Sequence, residues 1–359
     1  MTELGDRLRW LVEHRSVTGE EKELCDDLEA RIDALPGWEY TRVSNNLVVQ
    51  RTDPDTGRER VVFAGHLDTV PEPAAGLPVR VEEDRLYGRG SSDMKAGDAV
   101  MLALLEDFSW EASWAEPAFV FYEREEGPFA ENGLEAVFAA CPQVLEAGLA
   151  LCLEPTENAL EVGCVGTAQV EVTFQGRISH SARPWQGENA LTAAAGFLAA
   201  LHERPAAEVD VGGLSFYEVL TPTEARGGRA KNVVPDEFWI NVNHRFAPGN
   251  GREHVERVFD ALLGEGDGNA SYTVADFAPS GPASLDNPLV ERLAGLVPEV
   301  RPKQAWTDVA RFAERGVAAA NLGPGLPSQA HQETEYAELS KLDECYELLA
   351  RFLQSTPSR

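Results

Sequence analysis

Four short stretches carry residues able to do chemistry, and each comes where an apolar run or a tight turn stops. VVFAG ends in His66, Leu67 and Asp68, LYGRGSSD ends at Asp93, AFVFYER ends in the pair Glu125 and Glu126, and LCL ends in Glu154. Taken singly, a strand-end histidine or carboxylate is a satisfied polar group or a cap. Four in succession pose an electrostatic problem, because carboxylates gathered in one crevice repel and protonate unless cations neutralise them. The set implies either bound metal or strongly raised carboxyl pKa values. His66 decides the type of metal: imidazole beside carboxylates suits zinc or a similar borderline ion, whereas an all-oxygen set suits magnesium or calcium.

Side chains so far apart in sequence need a scaffold that gathers them. LVVQ (47–50), VVFAGH (61–66), AFVFYE (118–123) and GLALCLE (148–154) are short apolar runs separated by helical patterns such as MKAGDAVMLALLEDF and NGLEAVFAA. That alternation predicts an α/β domain with a mostly parallel central sheet flanked by helices, whose strand carboxyl ends surround a crevice. A helix is expected to begin at Thr18, where TGEE offers a Thr N-cap with Glu21 three residues on, ahead of Leu24, Leu28, Ile32 and Leu35 on one face. From about residue 166 the texture changes to TAQVEVTFQG, an Ala/Leu helix (188–203), SFYEVL, DEFWINVNHRF, a helix from Arg252 to Leu263, and ASYTVADF. Strand, helix, two strands, helix, strand is a small α+β unit of ferredoxin-like order. The expected organisation is a catalytic domain in two pieces, 1–165 and 278–359, with a lid or dimerisation domain at 166–277 inserted between them.

The totals narrow the function. A chain of 359 residues, 43% hydrophobic and 25% charged, has material for two cores and leaves only the tail STPSR without an expected fold. A net charge of -29 repels phosphate backbones and anionic lipid, which excludes nucleic acid and a membrane surface as partners. The longest near-apolar run, ALTAAAGFLAAL, is too short to span a bilayer, and MTELGDRLRWLVEH has the pattern of an amphipathic helix. Five cysteines without paired spacing, four of them (Cys25, Cys141, Cys152 and Cys164) in or beside apolar segments, point to reduced core residues and a cytoplasmic location.

Together the blocks AGHLDTVP, GRGSSDMKAG, EREEG and LEPT resemble the co-catalytic zinc peptidases and deacylases of the M20 family. The likeness runs through GRISHSARPW, KNVVPDEFWINVNHRF, WTDVARF, LGPG and HQETEYAE, so it spans nearly the whole chain. It implies a zinc-peptidase-like fold with two Zn2+ ions, which Co2+ or Mn2+ can replace. Asp93 would bridge the pair, His66 and Glu154 would complete one site, and Glu126 and His331 the other. Asp68 would hydrogen-bond the second ring nitrogen of His66 and fix its tautomer. Glu125, left without a metal, would be the general base that makes hydroxide and then returns the proton to the leaving amine. The resemblance further implies that His180 reaches the site from a partner subunit to hold the oxyanion, that Arg245 binds a substrate carboxylate, and that Asn232 and Thr307 contact substrate. The partners so implied are a small N-acyl amino acid and a second copy of the chain, and half-exposed strands at 167–175 and 214–220 fit a homodimer through the lid.

Other features read as structural. His14, His202 and His254 belong to helix ends or exposed helical faces, while His244 sits in an alternating strand beside Arg245. The glycines of GRGSSD and LGPG lack the spacing of nucleotide-binding loops, and no G-x-S-x-G elbow is present. Two other functions remain open: a deacylase of different acyl specificity, and a non-catalytic protein that captures amino acid derivatives. Glu125 speaks against the second, since binding alone needs no carboxylate left without a metal.

Overall fold

The apolar runs become strands of one sheet. The computed structural model describes residues 2–264 and 269–354, and the tail STPSR lies outside them. The described residues fall into two compact units, one drawn from Met1–Gly163, Ala283–Arg301 and Asp308–Arg359, the other from Cys164–Pro282 and Pro302–Thr307.

In the first unit an eight-stranded sheet runs in the order Trp38–Val43, Asn46–Arg51, Ala115–Tyr122, Glu59–His66, Leu149–Cys152, Ala319–Asn321, Leu160–Val162, Val300–Pro302. Its four middle strands are parallel, and antiparallel pairs flank them. These strands are buried from end to end in places: every residue of Ala115–Tyr122 is buried, as a run without alternation predicts. Helix Lys95–Asp107 packs against the sheet, and Gly97 is what lets it come close, since a Cβ there would stand 2.2 Å from the carbonyl oxygen of Leu153. Its Lys95 is fully buried and donates to the carbonyls of Leu11 and His14, tying it to the first helix, Glu3–Glu13. Burial depresses the Lys95 ammonium to about 8.

The helix expected from Thr18 begins later, at Lys22, and runs to Asp33. Glu21 accepts from the Gly19 amide, but the Thr18 hydroxyl caps nothing. It donates to the Asp68 carboxylate at 2.9 Å. A buried carboxylate is a stronger acceptor than the geometry of a capping box can offer the hydroxyl, so tertiary structure overrides the local signal.

The second unit holds an antiparallel sheet in the order Ala207–Val211, Leu214–Gly227, Glu237–Phe246, Gly166–Gln175, Ala270–Ala278. Its last four strands, with helices Ala190–Ala193, Ala195–Glu203 and Arg252–Leu263, have the ferredoxin-like order, and Ala207–Val211 adds an edge strand beyond the expected unit. Strand Glu237–Phe246 alternates strictly, burying Phe238, Ile240, Val242, His244 and Phe246 on the face the helices cover. No helix among the described residues is long and apolar enough to cross a membrane.

Candidate metal centre

Strand Glu59–His66 delivers His66 at its carboxyl end, 1% exposed. Its Nε2 lies 3.4 Å from Oδ1 of Asp93 and 4.0 Å from Oε1 of Glu154. On the other side of the same Asp93 carboxylate, Oδ2 is 3.5 Å from Nε2 of His331, which is also 2.9 Å from Oε1 of Glu126. Asp93 thus presents one oxygen to each of two histidine–glutamate pairs. His66, Asp93 and Glu154 form one group whose donor atoms lie within 4.8 Å of one another, and Asp93, Glu126 and His331 form a second. His66 and Glu154 are buried, Asp93 is partly exposed, and half of the His331 side chain is open to solvent.

Two supports hold these groups in place, and neither depends on a cation. Asp68 is fully buried, and its carboxylate accepts the backbone amides of Glu125 (2.9 Å) and Glu126 (3.1 Å) together with the Thr18 hydroxyl. Two consecutive amides bound to one carboxylate fix how the Glu125–Glu126 loop leaves its strand. This corrects the role expected for Asp68: its backbone carbonyl, not its carboxylate, takes the close contact with His66 Nδ1 at 2.9 Å, and the carboxylate stays 3.6 Å away because three other donors claim it.

The second support, which sequence reasoning missed, is Glu335. Its buried carboxylate accepts the amides of Gly90 (3.0 Å), Ser92 (2.9 Å) and Asp93 (3.1 Å) and pairs with Arg89 at 2.7 Å. Since Glu335 follows His331 by four residues, one side chain couples the Asp93 loop to the His331 loop. In HQETEYAE it is one of three glutamates, with nothing local to single it out. Beneath the strand ends, Asp308 accepts from Tyr122 (2.7 Å), Asn132 and Arg311 (2.8 Å), a closed polar network that locks the end of the Glu125-bearing strand. Arg124 and His331 both hold left-handed backbone, φ 62° in each case, a conformation that costs a non-glycine residue about 1–2 kcal/mol.

The electrostatics are those of carboxylates crowded around histidines. Burial, then the negative charges of Glu154, Asp308 and Glu126, push the Glu125 carboxyl well above its ordinary range, against the pull of His66. For His66 itself burial opposes protonation, but the hydrogen bond to Asp93 and the charges of Glu125, Glu154 and Asp68 raise its pKa. His331 is raised mainly by its hydrogen bond to Glu126. Two histidines and three carboxylates at these separations, with Glu125 beside them, make a candidate cation site: a bound positive charge would offset the negative charges that push the Glu125 carboxyl towards protonation.

Residues 62–355 match the profile of peptidase family M20/M25/M40. The chain belongs to this family. It is 38% identical to the protein DapE of Mycobacterium tuberculosis over 96% of both chains. It is 36% identical to the succinyl-diaminopimelate desuccinylase of Corynebacterium glutamicum over 98% of this chain and 96% of that one. Acetylornithine deacetylase of Myxococcus xanthus follows at 29%, over 85% and 82%. Among solved structures, the aminopeptidase PepT of Bacillus cereus superposes with a TM-score of 0.80 at 20% identity, covering 98% of this chain and 97% of that one. The M20 fold expected from the sequence, with its mostly parallel sheet between helices, is the fold observed.

The other expected site residues lie in the second unit. His180 is exposed, and its Nδ1 accepts the Ala182 amide at 3.1 Å. Asn232 stands beside it: Ser181 donates to the Asn232 carbonyl at 3.0 Å, and His180 pairs with Val233 across a short ladder. Arg245 is half-buried and donates to Asn243 at 3.0 Å, with burial depressing its guanidinium. Thr307 is buried, with no hydrogen-bond partner for its hydroxyl among the described residues.

Proposed function

We propose that this M20 protein is a metal-dependent amidase that cleaves N-succinyl-LL-2,6-diaminopimelate to succinate and LL-2,6-diaminopimelate, acting in the cytoplasm. The observation that carries the amidase reading is the Asp93 carboxylate shared between two histidine–glutamate pairs with Glu125 alongside. The choice of substrate rests on the desuccinylase of Corynebacterium glutamicum, 36% identical over nearly the full length of both chains.

His66, Asp93 and Glu154 would hold one cation and Asp93, Glu126 and His331 the other. Zinc is the ion this mixed imidazole and carboxylate set favours, with Co2+ or Mn2+ as substitutes. A pair of ions also fits an M20 protein of the same fold from Bacillus subtilis, itself a dinuclear metal-binding peptidase. When bound, the ions polarise the amide carbonyl and lower the pKa of an attacking water. Glu125 accepts a proton from that water as its oxygen bonds to the carbonyl carbon, and donates the proton to the nitrogen as the C–N bond breaks. Asp68 holds the Glu125 amide so that the carboxylate stays oriented through both transfers. His180 of a second copy donates to the developing oxyanion, Arg245 pairs with a substrate carboxylate, and Asn232 and Thr307 orient the chain of the substrate. Residues 166–277 would then serve as lid and dimerisation domain.

The runner-up is a different N-acyl amino acid deacylase, for which the 29% identity to acetylornithine deacetylase is the support. Purified zinc-loaded protein assayed on N-succinyl-LL-2,6-diaminopimelate and on N-acetylornithine separates them. A higher kcat/KM on the succinyl substrate is expected, and the reverse order replaces this reading with the runner-up.

A further inference from the structure

Away from the candidate metal centre, the second unit contains a second gathering of metal-type donors. His244 occupies a position that strand alternation assigns to the apolar, helix-covered face, between Val242 and Phe246. It is 0% exposed, and neither ring nitrogen has a hydrogen-bond partner among the described residues. Buried polar atoms are normally satisfied, so a fully buried imidazole with two idle nitrogens needs an explanation. Two side chains with donor atoms stand next to it. Glu218 comes from the adjoining strand Leu214–Gly227 and His254 from the first turn of helix Arg252–Leu263. The His254 Nε2 lies 3.0 Å from Oε2 of Glu218, and the His244 and His254 rings face each other at 5.9 Å between centroids, inclined by 32°. One donor atom from each of the three residues lies within 4.8 Å of the other two.

We propose that Glu218, His244 and His254 form a second, separate binding site for a zinc-class divalent cation. Two imidazoles and one carboxylate are the donors such an ion prefers, and a solvent molecule on the partly open side of Glu218 and His254 supplies the fourth position. Donors of a tetrahedral site with bonds of about 2.0–2.1 Å stand roughly 3.3 Å apart, so a small inward shift of the three side chains closes the shell. The supporting contacts are in place. Oε1 of Glu218 accepts the Ala247 amide at 3.0 Å and the Asn250 side chain at 2.7 Å, leaving Oε2 turned towards the histidines. Burial also pulls the His244 pKa down to about 4, so the ring is neutral and ready to ligate without releasing a proton. The start of the helix carries partial positive charge that opposes a cation, and the Glu218 carboxylate offsets it. The ion would tie two strands and one helix of this unit together, a structural task independent of hydrolysis.

The test is a zinc count on full-length protein stripped with chelator, reloaded with excess Zn2+ and desalted. Wild type is expected to retain about one zinc per chain more than His254→Ala and Glu218→Gln, while both variants keep native turnover on the amide substrate. His244→Leu, which refills the apolar face, should show the same deficit with an unchanged circular dichroism spectrum. Equal zinc in wild type and all three variants overturns the proposal and leaves His254 and Glu218 as an ion pair beside an unsatisfied histidine. Because the readout is a difference in metal content, a protein inactive on every amide tested would still report on this site.

Discussion

In the proposed mechanism Glu125 and Glu126, neighbours in the chain, have opposite duties. Glu126 lies within 2.9 Å of His331 and shares a donor group with it and Asp93; Glu125, which also lies in a donor group with His66 and Glu126, is crowded by Glu154 and Asp308 in a site that raises its pKa. If Glu125 is the proton carrier, Glu125→Gln should lower kcat by about 100- to 10,000-fold while metal content stays native, because the amide keeps the size of the side chain and spares the ligands. Loss of metal with turnover preserved would reverse the two roles. Four of the candidate ligands, His66, Asp93, Glu126 and Glu154, were legible in the sequence because each follows a strand or turn, where a His or carboxylate stands out against the run before it; His331 follows no apolar run and was expected only from the family resemblance. Glu335 was not, since its importance lies in three amides contributed from 90–93, some 240 residues away. The capping signal at Thr18 misled for the same reason: a hydroxyl can serve a local helix or a remote carboxylate, and only the fold decides which.

Among the elements, the three helices nearest the amino terminus are joined by one carboxylate. Glu106, at the end of Lys95–Asp107, takes Arg7 from Glu3–Glu13 at 2.8 Å and Arg31 from Lys22–Asp33. Burial alone would raise its pKa, but the two guanidiniums outweigh it and hold the carboxyl below the usual glutamate range. A carboxylate with a depressed folded-state pKa stabilises the fold above its unfolded pKa of about 4.3 and loses that contribution as pH falls through the folded value. Glu106→Gln should therefore lower the thermal midpoint at pH 7, and the gap to wild type should shrink as pH drops below about 4. A gap that is constant from pH 7 to pH 3 would show that packing, not charge, is what Glu106 supplies. Helices and middle strands were legible at this scale because their periodicity reflects burial on known faces. The edge strands Trp38–Val43 and Ala207–Val211 were not, because each is short and half-exposed and its alternation stands out little from the polar sequence around it. His254 misled in another way: helical periodicity put it on a surface, and the hydrogen bond to Glu218 draws it inward.

For the molecule as a whole, the proposal that His180 acts across subunits makes a demand that no single chain can meet. His180→Ala and Glu125→Gln should each be inactive alone, yet unfolding and refolding them as an equal mixture should restore about a quarter of native turnover, through mixed dimers with one intact composite site. No recovery, together with a monomer in sedimentation, would remove the trans role. The net charge of -29 was plain in the sequence and would repel a polyanion, but nothing in the fold accounts for its size. Glu335 has a consequence for the emptied enzyme. Because a carboxylate and its amides, rather than an ion, hold the Asp93 and His331 loops, the apo scaffold should be a ready socket. Zinc returned to a chelated sample should bring back full velocity from the first seconds of the progress curve, and a lag of minutes would mean that the socket must rebuild itself each time.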